Sequence, residues 1–216
     1  MVSITTGNSL LKEALEDMRS GALLLIVGWF LVGIAVVGGP FTILRVITSI
    51  TRGTRGVGGV LVTGFEVLLM LILVLLGVII MFIGFFWKFI SGTQKLAQAD
   101  KRFRTASQLV GLYRWGLVLA LISIILAVTI VGLITAIPLA IVTLILFLLG
   151  SIGLIILSFN LNEAYKNILY LVAGILFIIG IFIPILNAIS FILLYVALGD
   201  TMEKLSTTPT SNPTLV

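Results

Sequence analysis

The sequence predicts an all-α fold, a polytopic transmembrane helical bundle of six spans arranged as three helical hairpins, and three observations carry that expectation. Only 10% of the 216 residues are charged, against about 25% in an ordinary soluble domain, too few to build a water-facing surface. The mean hydropathy is +1.32. Charged residues also divide the chain into four long neutral runs, Ser20 to Leu44, Val67 to Trp87, Trp115 to Asn162 and Asn167 to Gly199. About 20 apolar residues, rising about 1.5 Å each, cross a hydrocarbon core of about 30 Å, so every run is long enough for at least one crossing.

Ahead of the first run, residues 8–19 place Leu10, Leu11, Ala14, Leu15 and Met18 on one helical face, with Asn8 or Ser9 as N-cap. This segment is expected to lie flat on the membrane surface. The first run becomes a span at 20–44. It is read as retained, because Lys12, Glu13, Glu16, Asp17 and Arg19 precede it and no small-residue cleavage site follows. The second run becomes a span at 65–87. A basic amphipathic loop over 88–114 comes next, where Leu96, Ala99, Phe103 and Val110 recur at helical spacing beside Lys95, Lys101, Arg102 and Arg104. These four cations are candidate contacts for lipid headgroups; a loop that simply obeys the positive-inside rule is the plainer reading.

The third run needs two helices, expected at 114–135 and 138–159, with a turn near Thr135-Ala136-Ile137-Pro138 because proline starts a helix well. The fourth is too long for one straight span and too short for two comfortable ones. Pro184 divides it into 165–183 and 184–200, either two short spans or a re-entrant hairpin shielded by the bundle. Residues 1–205 thus form a single membrane domain and 206–216 a disordered polar tail.

With six spans, Lys12, Arg19, Lys88, Lys95, Lys101, Arg102, Arg104, Arg114, Lys166 and Lys204 share one side, and only Arg45, Arg52 and Arg55 lie opposite. The excess orients both termini to the cytoplasm and the chain to the cell membrane. It also accounts for the net charge of +5 without a nucleic-acid partner. Pro40, Pro138 and Pro184 each belong to a long apolar stretch that ends near a polar segment, GTQKLAQAD, NLNEAYKN or GDTMEKLS. Three hairpins in series fit this pattern, although apolar helices also resemble one another by composition alone.

The absence of cysteine and histidine removes thiolate and imidazole metal sites, His-ligated haem and His-dependent triads. Gly56-Val57-Gly58-Gly59 lacks the strand context of a phosphate loop. No enzyme, cofactor or metal site is expected. Three polar residues are candidates for ion or solute contact. Glu66 and Arg45 lie at the same predicted membrane edge, where an interfacial ion pair competes with ion handling. Asn187 either serves an interrupted helix or bonds a neighbour. Pro138 and Pro184 are read as turns, and Gly21, Gly28, Gly77 and Gly84, at seven-residue spacing within their helices, as packing positions.

The segments LLKEALEDMRSGALLLIVGWFLVGIA and KLAQADKRFRTASQLVGLYRWGLVLALI resemble an uncharacterised family of multi-spanning membrane proteins from thermoacidophilic archaea. That resemblance implies a polytopic fold in an archaeal membrane and transfers no catalytic or ligand residue. Functionally, the shortage of intramembrane charge favours a structural or accessory protein that packs with itself or with other membrane protein subunits, in contact with membrane lipid. A small transporter or channel built on Pro-interrupted helices is the alternative.

Overall fold

The computed structural model describes residues 3–51, 57–127, 130–183 and 185–207, and every regular element among them is a helix. Five helical stretches are long and apolar enough to cross a membrane: Ser9–Gly39, Gly64–Ala99, Lys101–Ser123, Ile134–Tyr165 and Ile185–Thr207. The chain is therefore compatible with a multi-pass membrane protein, its peptide groups bonded within helices as a hydrocarbon environment demands.

Helix α1, Ser3–Thr51, runs unbroken for 49 residues, about 74 Å at about 1.5 Å per residue. It merges the expected surface helix with the first span. Nothing at Ser20-Gly21 breaks it, because Gly21 is held in a close helix crossing: a Cβ there would lie 2.6 Å from the Phe89 nitrogen and 2.7 Å from the Gly84 carbonyl. Residues 8–19 are thus continuous with the first span. Their apolar face is real, but Ala14, Leu15 and Met18 are wholly buried in protein. Asn8 and Ser9 lie inside this helix, which begins at Ser3.

Helix α2, Val57–Ile83, continues through a π-helical segment, Gly84–Phe89, into α3, Ile90–Ala99. Most of the expected basic loop is thus helix. The chain breaks only at Asp100, in extended conformation (φ −141°, ψ 120°), which caps a short 3₁₀ turn at Lys101–Phe103. Leu96, Phe103 and Val110 are buried in the bundle core rather than laid on lipid, whereas Ala99 is exposed.

Helices α4, Arg104–Ala127, and α5, Ile130–Tyr165, correct the expected turn. Pro138 lies inside α5, which begins eight residues before it, at Ile130. Close contacts set this register: Gly116 faces Phe147, Gly150 faces Tyr113 and Gly153 faces Val110. Ser123 also donates to the Ala136 carbonyl at 3.0 Å, tying α4 to the stretch expected to turn. A proline within the third turn of a helix costs one backbone bond, and the packed glycine seam outweighs it.

Lys166, at φ 51°, and Asn167, whose side chain accepts from the Leu169 nitrogen at 3.1 Å, reverse the chain into α6, Ile168–Gly180. This helix of 13 residues extends about 20 Å, short of a hydrocarbon core. A turn follows, in which Pro184 lies outside the described residues, and α7, Ile185–Thr207, returns along α6. The helix includes Ser206 and Thr207, the first two residues of the expected tail, and the rest of that segment is outside the described residues.

Helix α1 packs on α2, on the π segment, on α3 and on α7, while α4 packs on α5, α5 on α6 and α6 on α7. The buried core is confined to one end, built from Leu15, Met18, Phe89, Leu96, Phe103, Leu157, Tyr170 and Leu194 among others. In the other half, the α1–α2 and α4–α5 pairs make little contact with each other and expose apolar side chains such as Phe30, Val37, Phe65 and Ile134, as lipid-facing helices do.

The α1–α2 crossing generates a prediction. Replacing Gly21 by Val forces backbone apart and is expected to destabilise the protein by about 1–3 kcal/mol. Gly33, with nothing within 4 Å of an added Cβ, is expected to accept Ala with a change under about 0.5 kcal/mol. Thermal unfolding of both variants in one detergent, followed by circular dichroism, makes the comparison.

Candidate functional site

An ion-pair cluster joins α1 to the π segment and α3. Asp17 accepts from Lys88 at 3.2 Å and from Lys95 at 2.5 Å, and Lys95 also reaches Glu13 at 2.7 Å. Asp17 and Glu13 lie one helical turn apart, so both carboxylates face the same partner helix. Lys95 is thereby committed to protein carboxylates. Arg102 is paired with Asp100 at 2.6 Å, while Lys101 and Arg104 are exposed.

Next to this cluster, a ring of aromatic residues closes the bundle. The π segment, winding wider than an α-helix, stacks Phe85 on Phe89 with centroids 5.8 Å apart and sets Phe85 edge-on to Tyr113 at 5.0 Å. Phe191 meets both Phe89 and Phe177 edge-on. Trp87 and Trp115, 71% and 64% exposed, adjoin Lys88 and Arg114 and lie within about one helical turn of a common level, since Phe85 meets Tyr113 two residues before each, a belt of the kind that marks a membrane–water boundary.

Above the ring lies a cleft of about 300 Å³ between the α1–α2 and α4–α5 pairs, floored by the tip of the α6–α7 hairpin. Besides the Trp29 indole, the polar side chains that line it are Tyr113, Ser151 and Asn187, and these three are engaged with protein. Tyr113 bonds Ser151 at 2.7 Å, and Ser151 donates to the Phe147 carbonyl at 2.9 Å, so the phenol is the donor in the first bond. Asn187 donates to the Gly180 carbonyl at 3.2 Å. That carbonyl belongs to the last turn of α6, whose acceptors lack intrahelical partners, so the amide satisfies backbone at the chain reversal between α6 and α7.

A second pocket, of about 510 Å³, opens between α1 and α7. Lys12 and Arg19, two turns apart on one face of α1, form one wall; Asp200 and Glu203 of α7 form another. Arg19 lies over the Tyr195 ring, 4.8 Å from its centroid, in a cation–π contact. Its Nε is buried without a hydrogen-bond partner.

The remaining sequence candidates are dispersed. Glu66 lines a groove between α1 and α2 with Ile34, Phe41, Met70 and Leu73; the side chain of Arg45 lies outside the described residues. The α2–π–α3 rod separates Glu66 from Asp100 by about 50 Å, so these carboxylates share no cavity. Gly28 faces Gly77 and Gly84 faces Gly21 across the α1–α2 crossing. Sequence reading passed over Arg19 as one of many loop charges. A usable signal was present: Arg19 stands in line with Leu23 and Val27 at four-residue steps, a cation at the foot of an apolar stripe. Nothing local connects Tyr113 with Ser151, 38 residues away.

The model of a protein family of unknown function, DUF973, matches residues 12–216. The chain belongs to the DUF973 family. No curated protein and no solved structure matches it. The match to DUF973 runs from Lys12 to the last residue and takes in the ion-pair cluster, the cleft and the pocket between α1 and α7.

One feature of this DUF973 protein has a pH signature. Asp100 accepts from the Arg102 backbone nitrogen at 2.9 Å and from its Nε at 2.8 Å, and the Arg102 side-chain hydrogen bond, followed by the backbone one, holds the carboxyl below its ordinary value. A carboxyl depressed by folding adds stability above its unfolded pKa and loses that contribution as pH falls through the folded value. Asp100→Asn is therefore expected to narrow the drop in melting temperature between neutral pH and pH below about 4, measured against the parent protein in the same detergent.

Proposed function

We propose that this chain is a non-catalytic structural or accessory protein of the cell membrane, with both termini cytoplasmic, that packs through its α6–α7 hairpin against another membrane subunit or a second copy. One observation carries the reading. Helix α6, at 13 residues too short to cross a hydrocarbon core by itself, runs beside α7 from Tyr170, bonded to Thr201, to a tip beside the cleft, where Asn187 meets Gly180. Its outer face exposes Ile168, Val172, Ile175 and Ile179, and Phe182 in the following turn is 82% exposed. A half-length helix with an apolar outer face fits a protein neighbour that packs on it and covers the remaining depth.

The hairpin is read as re-entrant, with four full crossings by α1, α2, α4 and α5. This keeps the ten-to-three charge asymmetry, because a re-entrant hairpin returns the chain to its starting side. The resemblance to archaeal proteins makes an archaeal membrane the expected setting.

A transporter or channel is the second reading, favoured by the cleft above the hairpin tip and by the π segment that lines it. Its polar groups are largely engaged with protein, which favours the accessory role. Substituting Lys at Ile175 and Ile179 is expected to release a co-purifying partner, or convert a dimer to monomer, in mild detergent, with the helical signal retained. Solute flux through liposomes containing the isolated parent protein, with no change of assembly in the double variant, would reverse the preference.

A further inference from the structure

We propose that the pocket between α1 and α7 binds the phosphate of a membrane lipid headgroup, with Arg19 as its principal contact and Lys12 as a second, and that a chain of the same lipid rises along the α1–α7 seam. The assignment is independent of the hairpin's role as a docking face.

The chemistry begins with Arg19. Among the described residues no carboxylate lies within ion-pair distance of its guanidinium, although Asp200 and Glu203 line the same pocket. The group is held instead by the Tyr195 ring. Gly199 permits this, since a Cβ there would come within 3.0 Å of the Arg19 Nη2. A positioned guanidinium with a buried, unpartnered Nε retains the planar donor fork that suits phosphate. Lys12 adds a second positive charge on the same wall. Asp200, which also accepts from Asn167 at 3.4 Å, and Glu203 stand on the α7 wall, where the outer end of a headgroup carrying hydroxyl or ammonium groups finds acceptors.

The height of the pocket selects a lipid over a free anion. Arg19 sits two residues before Gly21, which touches Phe89, and two after Asp17, which binds Lys88. It is therefore level with the Trp87–Trp115 belt, where lipid phosphates reside. From Arg19 the exposed face of α1 continues through Leu23, Val27 and Phe30, and that of α7 from Val196 through Ile192 and Ile189. These two stripes make an apolar track that leads from the pocket towards the spanning half, a path of use to an acyl or isoprenoid chain and of none to inorganic phosphate.

The test uses the full-length protein reconstituted in vesicles of phosphatidylcholine and phosphatidylglycerol, re-extracted and washed in phosphorus-free detergent. Retained lipid is then counted by native mass spectrometry and phosphorus assay. The parent protein is expected to keep one phospholipid per chain. Arg19→Gln is expected to lose it by about tenfold, Lys12→Gln by less, and Arg19→Lys to retain more than Arg19→Gln. Lys12 is exposed, so its variant tests the site even where an Arg19 change impairs folding. Equal retention in the parent, Arg19→Gln and Lys12→Gln proteins overturns the site. Displacement of the lipid by millimolar inorganic phosphate, or phosphate binding without lipid retention, overturns the lipid assignment.

Discussion

The constraint on which this structure depends is that peptide groups placed in hydrocarbon must be bonded within the chain. It explains why α1 runs 49 residues without interruption and why the described reversals are supplied with polar partners. At Asp100 the carboxylate caps the following turn. At Lys166 and Asn167 a side-chain amide does so. At the α6–α7 tip, where no polar loop is available, the Asn187 amide serves the Gly180 carbonyl and the turn closes with Phe182, Ile183 and Leu186 backbone bonds. The Asn187 bond is thus to backbone.

Once helices are obligatory, close approach decides which of them meet. Lipid supplies no hydrophobic drive between apolar helices, so packing quality does the selecting. Gly21 on Gly84 and Gly28 on Gly77 bring α1 and α2 together, and Gly116, Gly150 and Gly153 do the same for α4 and α5. These seams hold each pair. The pairs themselves are joined only at the polar end, through the aromatic ring and the α6–α7 hairpin, which leaves the cleft between them. Charge follows the same division: Asp17, Lys88, Lys95 and Glu13 are paired at the joined end.

Helical class, membrane character and the apolar stripe of residues 10–18 were all legible in the sequence, because composition and 3.6-residue periodicity are local properties. What covers that stripe was not legible. Leu15 and Met18 have the same spacing whether they face lipid headgroups or the π segment, and only the partner helix decides. Likewise Leu96, Phe103 and Val110 show an amphipathic pattern that suits a surface helix and a buried one equally. Pro138 misled for a related reason: a proline marks a turn by local preference, whereas the α4–α5 register is a sum over contacts tens of residues apart.

By itself the sequence determined that the chain folds as apolar helices and how many neutral stretches it has, since both follow from solvation of side chains one at a time. Tertiary structure alone decided that α6 is too short to cross, that Asn187 spends its amide on a carbonyl, and that Arg19 stands over Tyr195 with its Nε unmatched. Each of those depends on which atoms of a distant helix come within hydrogen-bond or van der Waals reach, and that reach is set by packing, not by local preference.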